Sequence, residues 1–437
     1  MIVVVFNSDI RSQLAAFQAG FRRQLTISAL IVPFIPYLLA IYYSSNKRLF
    51  PYRNIFTPIA LFVIYQTCTS YAIFDSPFNI WNFGIGAAGC ALAMRLVALA
   101  TLSQPLKRKS EVDCSHSSLF SLKHLLDVID YSLDLRGLHW NLGYDCHLPT
   151  EIRTTSTLFD FEVDTLFLAF KHALTYTVLH TAISLVGSVG STDGGTIFVR
   201  TRIPSPLGDI SVSPFFTACF VSLLAGLLAC NTLMTVHLFL TFFFAPFYPN
   251  PAKSWPPLFG SPLYATSVHN FWSYQWHSVL RHGFCSTGGK LGWEIGGSIG
   301  AVLGVFLVSG LVHDFGMWCM GQGMEFSRVT AYFVLQGIIV LLEKTFDVDI
   351  WVEVTDMEDS QKVSLKASIT GYPKQERIVR KNSLVDNGLG KLWTAFWIVV
   401  PATLMIDAWA RRGFFAIPFD ISPVRHALRF WANSAHI

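Results

Sequence analysis

Long apolar segments alternate with shorter polar ones along almost the whole chain. Each apolar segment is close to the roughly 20 residues that a helix needs to cross the hydrocarbon core of a bilayer. The pattern predicts an all-α fold, a polytopic membrane helical bundle of eight to ten spans. The predicted spans are residues 25–43, 56–74, 80–102, 163–186, 214–247, 293–320, 329–345 and 392–409.

Two of these segments carry specific expectations. Arg95 lies within the third span, so its side chain should face the protein interior or reach the membrane surface instead of facing lipid. The segment 214–247 would form a straight helix of about 50 Å, which exceeds the roughly 30 Å hydrocarbon core. It is therefore either strongly tilted or broken into two helices near Gly226 or Asn231.

Polar stretches between the spans predict how the chain is organised around the membrane. Residues 103–162 form an extramembrane loop, residues 248–292 an amphipathic segment at the membrane surface, and residues 350–388 a charged loop. The Lys and Arg bias of loops favours the cytosolic side for all three, together with residues 44–55. We expect residues 1–437 to form a single integral membrane domain.

The composition excludes several classes of protein. Hydrophobic residues make up 52% of the chain and charged residues 14%, about half the charged fraction of an average soluble domain. The net charge of +4 is spread over many loops, so no basic tract indicates a nucleic-acid partner. The eight cysteines stand singly, without a CxxC pair, and so predict neither a zinc site nor a disulfide framework; we expect no metal.

One apolar segment carries the chemistry. His313 and Asp314 stand within the sixth predicted span, where an ionisable side chain is costly to bury unless it has partners or a function. A polar and aromatic stretch precedes that span and supplies His277 and Arg281. We interpret His313 as a catalytic base. The alternatives are a structural hydrogen-bonding histidine and a proton relay in a transporter, although no internal repeat supports a transporter.

Asp314 is not expected to orient His313, because adjacent helix positions point about 100° apart. We predict that it is a partner for another helix. The triplet Asp314-Phe315-Gly316 matches a kinase motif, but the chain has no glycine loop or HRD segment, and it has no GxSxG elbow for a serine acyl-enzyme.

These residues carry a resemblance to a known family. The chain is similar to the wax-synthase-like branch of the membrane-bound O-acyltransferase (MBOAT) superfamily, and in particular to fungal terpenoid and meroterpenoid O-acetyltransferases. The main motifs are Phe271-Trp272-x-x-x-Trp276-His277 and Ser309-Gly310-Leu311-Val312-His313; further ones are Arg136-Gly137-x-x-Trp140-Asn141 and Gln336-Gly337 ahead of Leu342-Glu343.

The resemblance implies a helical bundle that encloses an acyl-transfer tunnel open to CoA on the cytosolic side. The histidine of the family maps onto His313 as the general base. His277 stands where many members have Asn, and is a second candidate catalytic residue. Candidate substrate- and CoA-binding residues are Asn270, Trp272, Trp276 and Arg281.

The resemblance also implies the reactants. No bound cofactor is expected; acetyl-CoA, or another acyl-CoA, is the co-substrate, and a hydrophobic alcohol, a terpenoid-type hydroxyl, is the acceptor. The alternative is a wax synthase that joins a fatty acyl group to a long-chain alcohol. We expect the protein to lie among the lipids of an internal membrane, the endoplasmic reticulum.

Overall fold

Helices dominate the structure. The computed structural model describes residues 21–110, 121–142, 147–203, 209–346 and 384–416, so most of the predicted loop 350–388 lies outside the described residues. Within them the strands form two short pairs, one parallel and one antiparallel, and the predicted all-α class is confirmed. The strands are β1 (Arg23–Gln24), β2 (Tyr71–Ala72), β3 (Thr201–Ile203) and β4 (Ile210–Val212).

Every predicted span falls on a helix, and short helices fill several of the connections. The helices are α1 (Ile27–Ile31), α2 (Phe34–Ser45), α3 (Phe56–Ser70), α4 (Asn79–Ala100), α5 (Leu122–Leu133), α6 (Leu158–Ser184), α7 (Pro214–Phe244), α8 (Pro251–Ser254), α9 (Val268–Asn270), α10 (Arg281–Phe284), α11 (Lys290–Cys319), α12 (Thr330–Thr345) and α13 (Leu384–Ala410).

Within the described ranges, five helical stretches are long and apolar enough to cross a membrane. The other predicted spans correspond to α3, α6 and α12. Helices α3 and α12 have 15 and 16 residues, and α6 carries several charged side chains near its start. The number of crossings, eight to ten, therefore stays a prediction. The five stretches are Ile27–Ser45, Asn79–Ala100, Pro214–Phe247, Arg281–Cys319 and Gly388–Ala410.

The long apolar segment 214–247 is one unbroken helix. Helix α7 has 31 residues and passes through Gly226 and Asn231 without interruption, so the alternative of two helices is wrong. Asn231 stabilises the pairing of α7 with α6, since its side-chain oxygen accepts a hydrogen bond from His172 Nδ1 at 2.8 Å.

Arg95 faces the protein interior, as predicted. Its side chain donates hydrogen bonds to the hydroxyl of Tyr37 at 2.9 Å and to the carbonyl oxygen of Asp134 at 2.8 Å. The residue is 3% exposed. Arg95 therefore joins α2, α4 and the amphipathic helix α5.

Residues 293–320 do not form the single straight span that the hydropathy predicts. The backbone leaves the helical conformation at Gly296 and Gly297, and Gly297 has φ +58°, a value that favours glycine because it has no Cβ. Two arms result, residues 281–295 and residues 298–319, which we call the first arm and the second arm of the glycine hairpin.

Glycines recur every fourth position along both arms and let them pack backbone to backbone. A Cβ at Gly288 would clash with the carbonyl oxygen of Gly304, and one at Gly292 would clash with that of Gly300. This antiparallel register is typical of small-residue contacts between membrane helices. The start of the first arm therefore lies at the depth of the second half of the second arm, the half that carries His313.

The connections collect at two ends of the bundle. One end, which we call the loop face, brings together segments that were predicted to share the cytosolic side. Leu106 N donates to Ser44 O at 2.9 Å, and Arg136 donates to Pro256 O at 2.6 Å. At the opposite end, Arg22 donates to Cys319 O at 2.6 Å.

Buried apolar side chains form two main clusters between the helices. The cluster around α2, α3 and α4 includes Ile41, Ile64 and Leu99. The larger one lies where α7, α11, α12 and α13 meet, and includes Met317 and Phe333. Phe333 stacks on His313, and Met317 follows His313 by one helical turn. The candidate site therefore borders this larger core.

Candidate active site

The imidazole of His313 lies between aromatic rings from three other helices. Phe333 of α12 stacks on it with ring centroids 4.3 Å apart and planes 27° apart. Trp409 of α13 lies 6.1 Å away at 14°, and Phe83 of α4 lies 6.4 Å away. The ring is half-buried. These walls are apolar, so they do not compete for the nitrogen atoms of the imidazole.

One hydrogen bond determines which nitrogen of His313 carries the proton. Nδ1 lies 2.7 Å from the carbonyl oxygen of Ser309, one helical turn earlier. A carbonyl oxygen only accepts, so in the neutral ring Nδ1 carries the hydrogen and Nε2 carries the lone pair. No group in the described part of the chain hydrogen-bonds Nε2. The arrangement therefore presents an imidazole that is ready to accept a proton at Nε2.

Helix α9 and the residues after it enter the bundle from the loop face. The backbone N–H groups of Val268 and His269 both donate to the carboxylate of Glu343 at 2.7 Å. The indole N–H of Trp393 donates to the same carboxylate at 2.8 Å. Glu343 is 1% exposed. A buried carboxylate of α12 thus holds the start of α9 and a tryptophan of α13 in place.

A π-helical turn follows, Phe271–Gln275, and it places the aromatic motif beside His313. The turn closes when Trp276 N donates to Phe271 O at 2.8 Å. Turns of this type often occur at functional sites. We call residues 268–280 the entering segment.

Trp272 shares an aromatic neighbour with His313. Its ring centroid lies 6.2 Å from that of Phe333, the ring that stacks on His313. Its indole N–H donates to Gln336 Oε1 at 3.3 Å, and Gln336 Nε2 donates to Trp397 O at 2.9 Å. Gln336 is fully buried. The orientation of Trp272 is therefore set by a polar chain that connects α12 to α13.

Trp276 and His277 of the entering segment pack against phenylalanine rings. Trp276 stacks on Phe271 at 5.3 Å and 24°, and His277 meets Phe259 edge-on at 5.5 Å. Burial lowers the pKa of His277 to about 4, with smaller contributions in the same direction from His313 and Arg136. At neutral pH His277 is therefore uncharged.

Asn270 and Arg281 are placed at the two ends of this motif. Asn270 is buried, and its backbone N–H donates to Ser267 Oγ at 2.9 Å. Arg281 begins α10, is half-buried, and makes no ion pair with another described residue. Trp272 shares the neighbour Phe333 with His313, and Trp276 packs against Trp272 and His277. The binding roles predicted for these residues and for Asn270 and Arg281 stay predictions.

Asp314 serves the packing of the helices, as predicted. Glu325 N donates to Oδ1 at 2.7 Å, and Thr330 Oγ1 donates to Oδ2 at 3.0 Å. Both oxygens are thus bonded to the connection between α11 and α12 and to the start of α12. Asp314 makes no contact with the imidazole of His313 in the described structure.

For several residues of the site, the sequence pattern alone did not indicate a functional role. Phe333 and Trp409, which flank His313, are ordinary aromatic residues in apolar helices. Gln336 and Glu343 had one sequence signal each, a polar side chain within a helix that is otherwise apolar. Only their similarity to family signatures singled them out, and neither their partners nor their function could be predicted from it.

The loop face supports the entering segment from outside. Arg136 is buried and donates to Pro256 O at 2.6 Å and to Pro257 O at 3.0 Å. Two residues further on, Phe259 packs against Trp276 at 5.1 Å. Arg136 therefore anchors the peptide that forms one wall around Trp276 and His277. Trp140 is likewise buried and packs edge-on against Tyr131.

The geometry agrees with a family comparison. The family model of the membrane bound O-acyl transferase family matches residues 255–335. This stretch contains the entering segment, the glycine hairpin and His313, together with Phe333 of α12. The predicted resemblance is thereby confirmed, and the matched residues 255–335 include His313 and the entering segment.

Individual relatives match at modest identity. The acetyltransferase aurG of Calcarisporium arbuscula is 29% identical over 153 residues, which is 33% of this chain and 37% of that protein. The acetyltransferase fsoF of Humicola fuscoatra is 27% identical over 277 residues, 56% of this chain and 59% of the relative. A long-chain-alcohol O-fatty-acyltransferase of Simmondsia chinensis is 28% identical over 126 residues, 26% and 32% of the two chains. The matches thus span less than two thirds of each relative.

Proposed function

We propose that the chain is an integral membrane O-acyltransferase that moves an acetyl group from acetyl-CoA to a hydroxyl of a hydrophobic, terpenoid-type alcohol. The observation that carries the proposal is the state of His313. Its Nδ1 is fixed on Ser309 O at 2.7 Å, its ring is held between Phe333 and Trp409, and its Nε2 is left to accept a proton. The match of the family model to residues 255–335 adds support.

In the proposed reaction both substrates bind in one complex beside His313. Nε2 takes the proton of the alcohol while the alcohol oxygen bonds to the thioester carbonyl carbon. The carbon–sulfur bond then breaks, and the sulfur receives the proton from Nε2, so that the products are the ester and the CoA thiol. A positioned base of this kind contributes about 10²–10⁴-fold. Alignment of the two substrates in a dry site contributes further.

The residues of the entering segment take positioning and binding roles in this proposal. Trp272, Trp276 and Asn270 line the approach of the thioester, and Arg281 contacts a phosphate of CoA. His277 is uncharged at neutral pH because burial lowers its pKa to about 4. It therefore donates or accepts a hydrogen bond near the thioester without contributing a charge. A tunnel from the loop face, taken as the cytosolic side, brings the donor to His313.

A second candidate keeps the chemistry and changes the substrates. The relative from Simmondsia chinensis is named a long-chain-alcohol O-fatty-acyltransferase, which favours a fatty acyl-CoA and a fatty alcohol. The matches to proteins named acetyltransferases favour the acetyl donor. Endoplasmic reticulum membrane is the proposed location for either candidate.

Radiolabelled donors distinguish the candidates. Microsomes from yeast that express the chain are given labelled acetyl-CoA or labelled palmitoyl-CoA, with a set of terpenoid alcohols and hexadecanol as acceptors; microsomes without the chain are the control. We expect a labelled acetate ester of a terpenoid alcohol. Label only in palmitoyl esters would establish the second candidate. No ester from any pair would overturn both.

A further inference from the structure

Helix α5 has an apolar face that points away from the protein. In a soluble protein the apolar stripe of a helix faces the core, and the polar side faces water. On α5 the apolar side chains recur one helical turn apart along the outer side, where they are between 37% and 74% exposed. These side chains form what we call the outward stripe: Leu122, Leu125, Leu126, Ile129 and Leu133. The polarity of α5 is thus inverted relative to that of a helix in water.

Polar side chains on the opposite side of α5 are buried and have partners in the protein. His124 is fully buried, and its Nε2 lies 2.9 Å from Ser45 Oγ. Asp127 Oδ1 and Asp130 Oδ2 lie 2.7 Å and 2.9 Å from Nη2 of Arg108. A buried carboxylate needs such a partner to offset its desolvation. The polar side of α5 therefore belongs to the protein interior, and the outward stripe meets the surroundings.

Two contacts place α5 at the level where apolar helices of the bundle end. Ser45, which bonds to His124, is the last residue of α2. At the other end of α5, Arg95 of α4 donates to the carbonyl oxygen of Asp134 at 2.8 Å. Helix α4 ends at Ala100, about 7 Å beyond Arg95 along the helix axis. Helix α5 therefore lies at the level of the last turns of α2 and α4, and both belong to stretches long and apolar enough to cross a membrane.

The outward stripe continues the apolar surface of a neighbouring span. Helix α2 exposes Phe34, Ile35 and Leu39. Nearly one turn after Leu39, Tyr42 of the same helix is half-buried and stacks on His124 of α5 at 4.1 Å. At this level α5 therefore replaces α2 as the outer surface, and its leucine and isoleucine side chains are as apolar as those of α2. The acyl chains that cover α2 cover such a surface by the same hydrophobic effect.

We propose that α5 is an in-plane membrane helix whose outward stripe is buried among the acyl chains of the leaflet on the loop face. Helices of this class place their apolar face about 5–10 Å into the boundary between headgroups and acyl chains. The proposal moves residues 122–133 of the predicted extramembrane loop into the membrane interface. It goes beyond the proposed acyl transfer and does not depend on it.

Two contacts connect α5 to the candidate active site. The hydroxyl of Tyr248 donates to Oδ1 of Asp130 in α5. Arg136 follows α5 closely in the chain and donates to Pro256 O at 2.6 Å, in the peptide that leads to the phenylalanine packed on Trp276. An α5 that is seated in the leaflet therefore sets the level of this peptide relative to the bilayer.

Photo-crosslinking of the full-length protein in nanodiscs tests what covers the outward stripe. In separate variants p-benzoylphenylalanine, which reacts with nearby C–H bonds, replaces Leu126 or Ile129. The discs contain phosphatidylcholine with deuterated acyl chains, so that mass spectrometry identifies a lipid adduct. Ile35, exposed on the span of α2, is the lipid-facing reference. Lys47, exposed on the loop face just beyond α2, is the control outside the stripe.

We expect acyl-chain adducts at Leu126 and Ile129 in a yield within about twofold of that at Ile35 and about fivefold above that at Lys47. Adducts with peptides of the same chain or of a second copy would show that protein covers the stripe, and would overturn the proposal. Yields no higher than at Lys47 would show that the stripe faces water, and would overturn it too.

A charge placed in the stripe gives a second, independent measurement. Leu126→Asp and its matched control Leu126→Met are compared in the same nanodiscs by their unfolding temperatures. We expect Leu126→Asp to unfold several degrees lower, because its carboxylate must leave water to enter the acyl-chain boundary. Equal unfolding temperatures would contradict the proposal. Neither measurement needs an acyl donor or an acceptor, so both are decided separately from the proposed function.

Discussion

His313 and Asp314 are neighbours in the sequence, yet the structure treats them in opposite ways. Both oxygens of Asp314 accept hydrogen bonds, from Glu325 N and from Thr330 Oγ1, and the residue is fully buried. His313 has one nitrogen bonded within its own helix and otherwise meets aromatic rings. Asp314 is thus part of the joint between α11 and α12, whereas Nε2 of His313 makes no hydrogen bond with a described residue.

The contrast extends to the surroundings of the two residues. Toward the opposite end of the bundle, near Asp314, buried charges are paired: Arg412 Nη1 lies 3.2 Å from Glu325 Oε1, and the buried Asp407 Oδ2 lies 2.7 Å from Nε of the exposed Arg411. Around His313 the walls are Phe333, Trp409 and Phe83. A buried charge needs a partner to offset its desolvation, so these pairs belong to the fold, whereas an ionisable side chain among aromatic rings of a membrane protein is a candidate for function.

The largest effect on stability is expected for Asp314→Ala. The change leaves Glu325 N and Thr330 Oγ1 buried without an acceptor, at about 1–3 kcal/mol each. We expect a lower unfolding temperature and a lower yield of purified protein in detergent, with kcat per folded molecule within a few-fold of the wild type. Asp314→Asn, which keeps one acceptor oxygen, should lie in between. A stable Asp314→Ala protein that has lost turnover would show that Asp314 acts in the reaction, and would contradict the contrast between Asp314 and His313.

An intermediate effect is expected for Trp272→Phe. The ring still packs against Phe333, but the hydrogen bond to Gln336 Oε1 at 3.3 Å is lost. Because misplacement of a positioning group by about 1 Å costs up to about 10²-fold, we expect kcat/KM to fall about tenfold with little change in unfolding temperature. Gln336→Leu removes the same acceptor from the other side and should give a similar loss of activity. Activity equal to the wild type in Trp272→Phe would show that the indole N–H plays no part.

The smallest effect is expected for His277→Asn, measured as a pH profile. Burial lowers the pKa of His277 to about 4, so the folded protein keeps this ring neutral while an unfolded histidine, with a pKa of about 6.5, takes up a proton. The stability that depends on neutral His277 is therefore complete above the unfolded pKa and is lost as the pH falls from about 6.5 toward 4. Between about pH 5.5 and 8, the ratio of wild-type to variant rates should be constant. A step in that ratio near pH 6.5 would show that His277 titrates during turnover.

Much of the architecture could be predicted from the sequence, because the length and hydropathy of an apolar segment indicate whether it can cross a bilayer. The predicted spans lie mainly on helices, Arg95 points inward, and Asp314 turns away from His313, as the 100° between adjacent helix positions requires. The reversal at Gly297 was missed. Apolar residues continue on both sides of it, and hydropathy does not register a backbone angle.

The site was predictable only in part, because a single sequence does not show which helices face each other. His313 stands out because an imidazole is rare in an apolar helix. The residues that make it usable come from distant parts of the chain: Phe333, Trp409, and Glu343 with its two backbone donors. Their functions depend on which helix faces which, and a single sequence does not contain that information.

The most direct test of the central claim is the transfer rate of His313→Gln, measured on purified protein in nanodiscs with labelled acetyl-CoA and the acceptor found in microsomes. Glutamine is polar and of similar length but cannot take up a proton. We predict a fall in kcat of about 10²–10⁴-fold, with an unfolding temperature within a few degrees of the wild type and unchanged binding of CoA. Ester formation at the wild-type rate by a folded His313→Gln protein would contradict the assignment of His313 as the base.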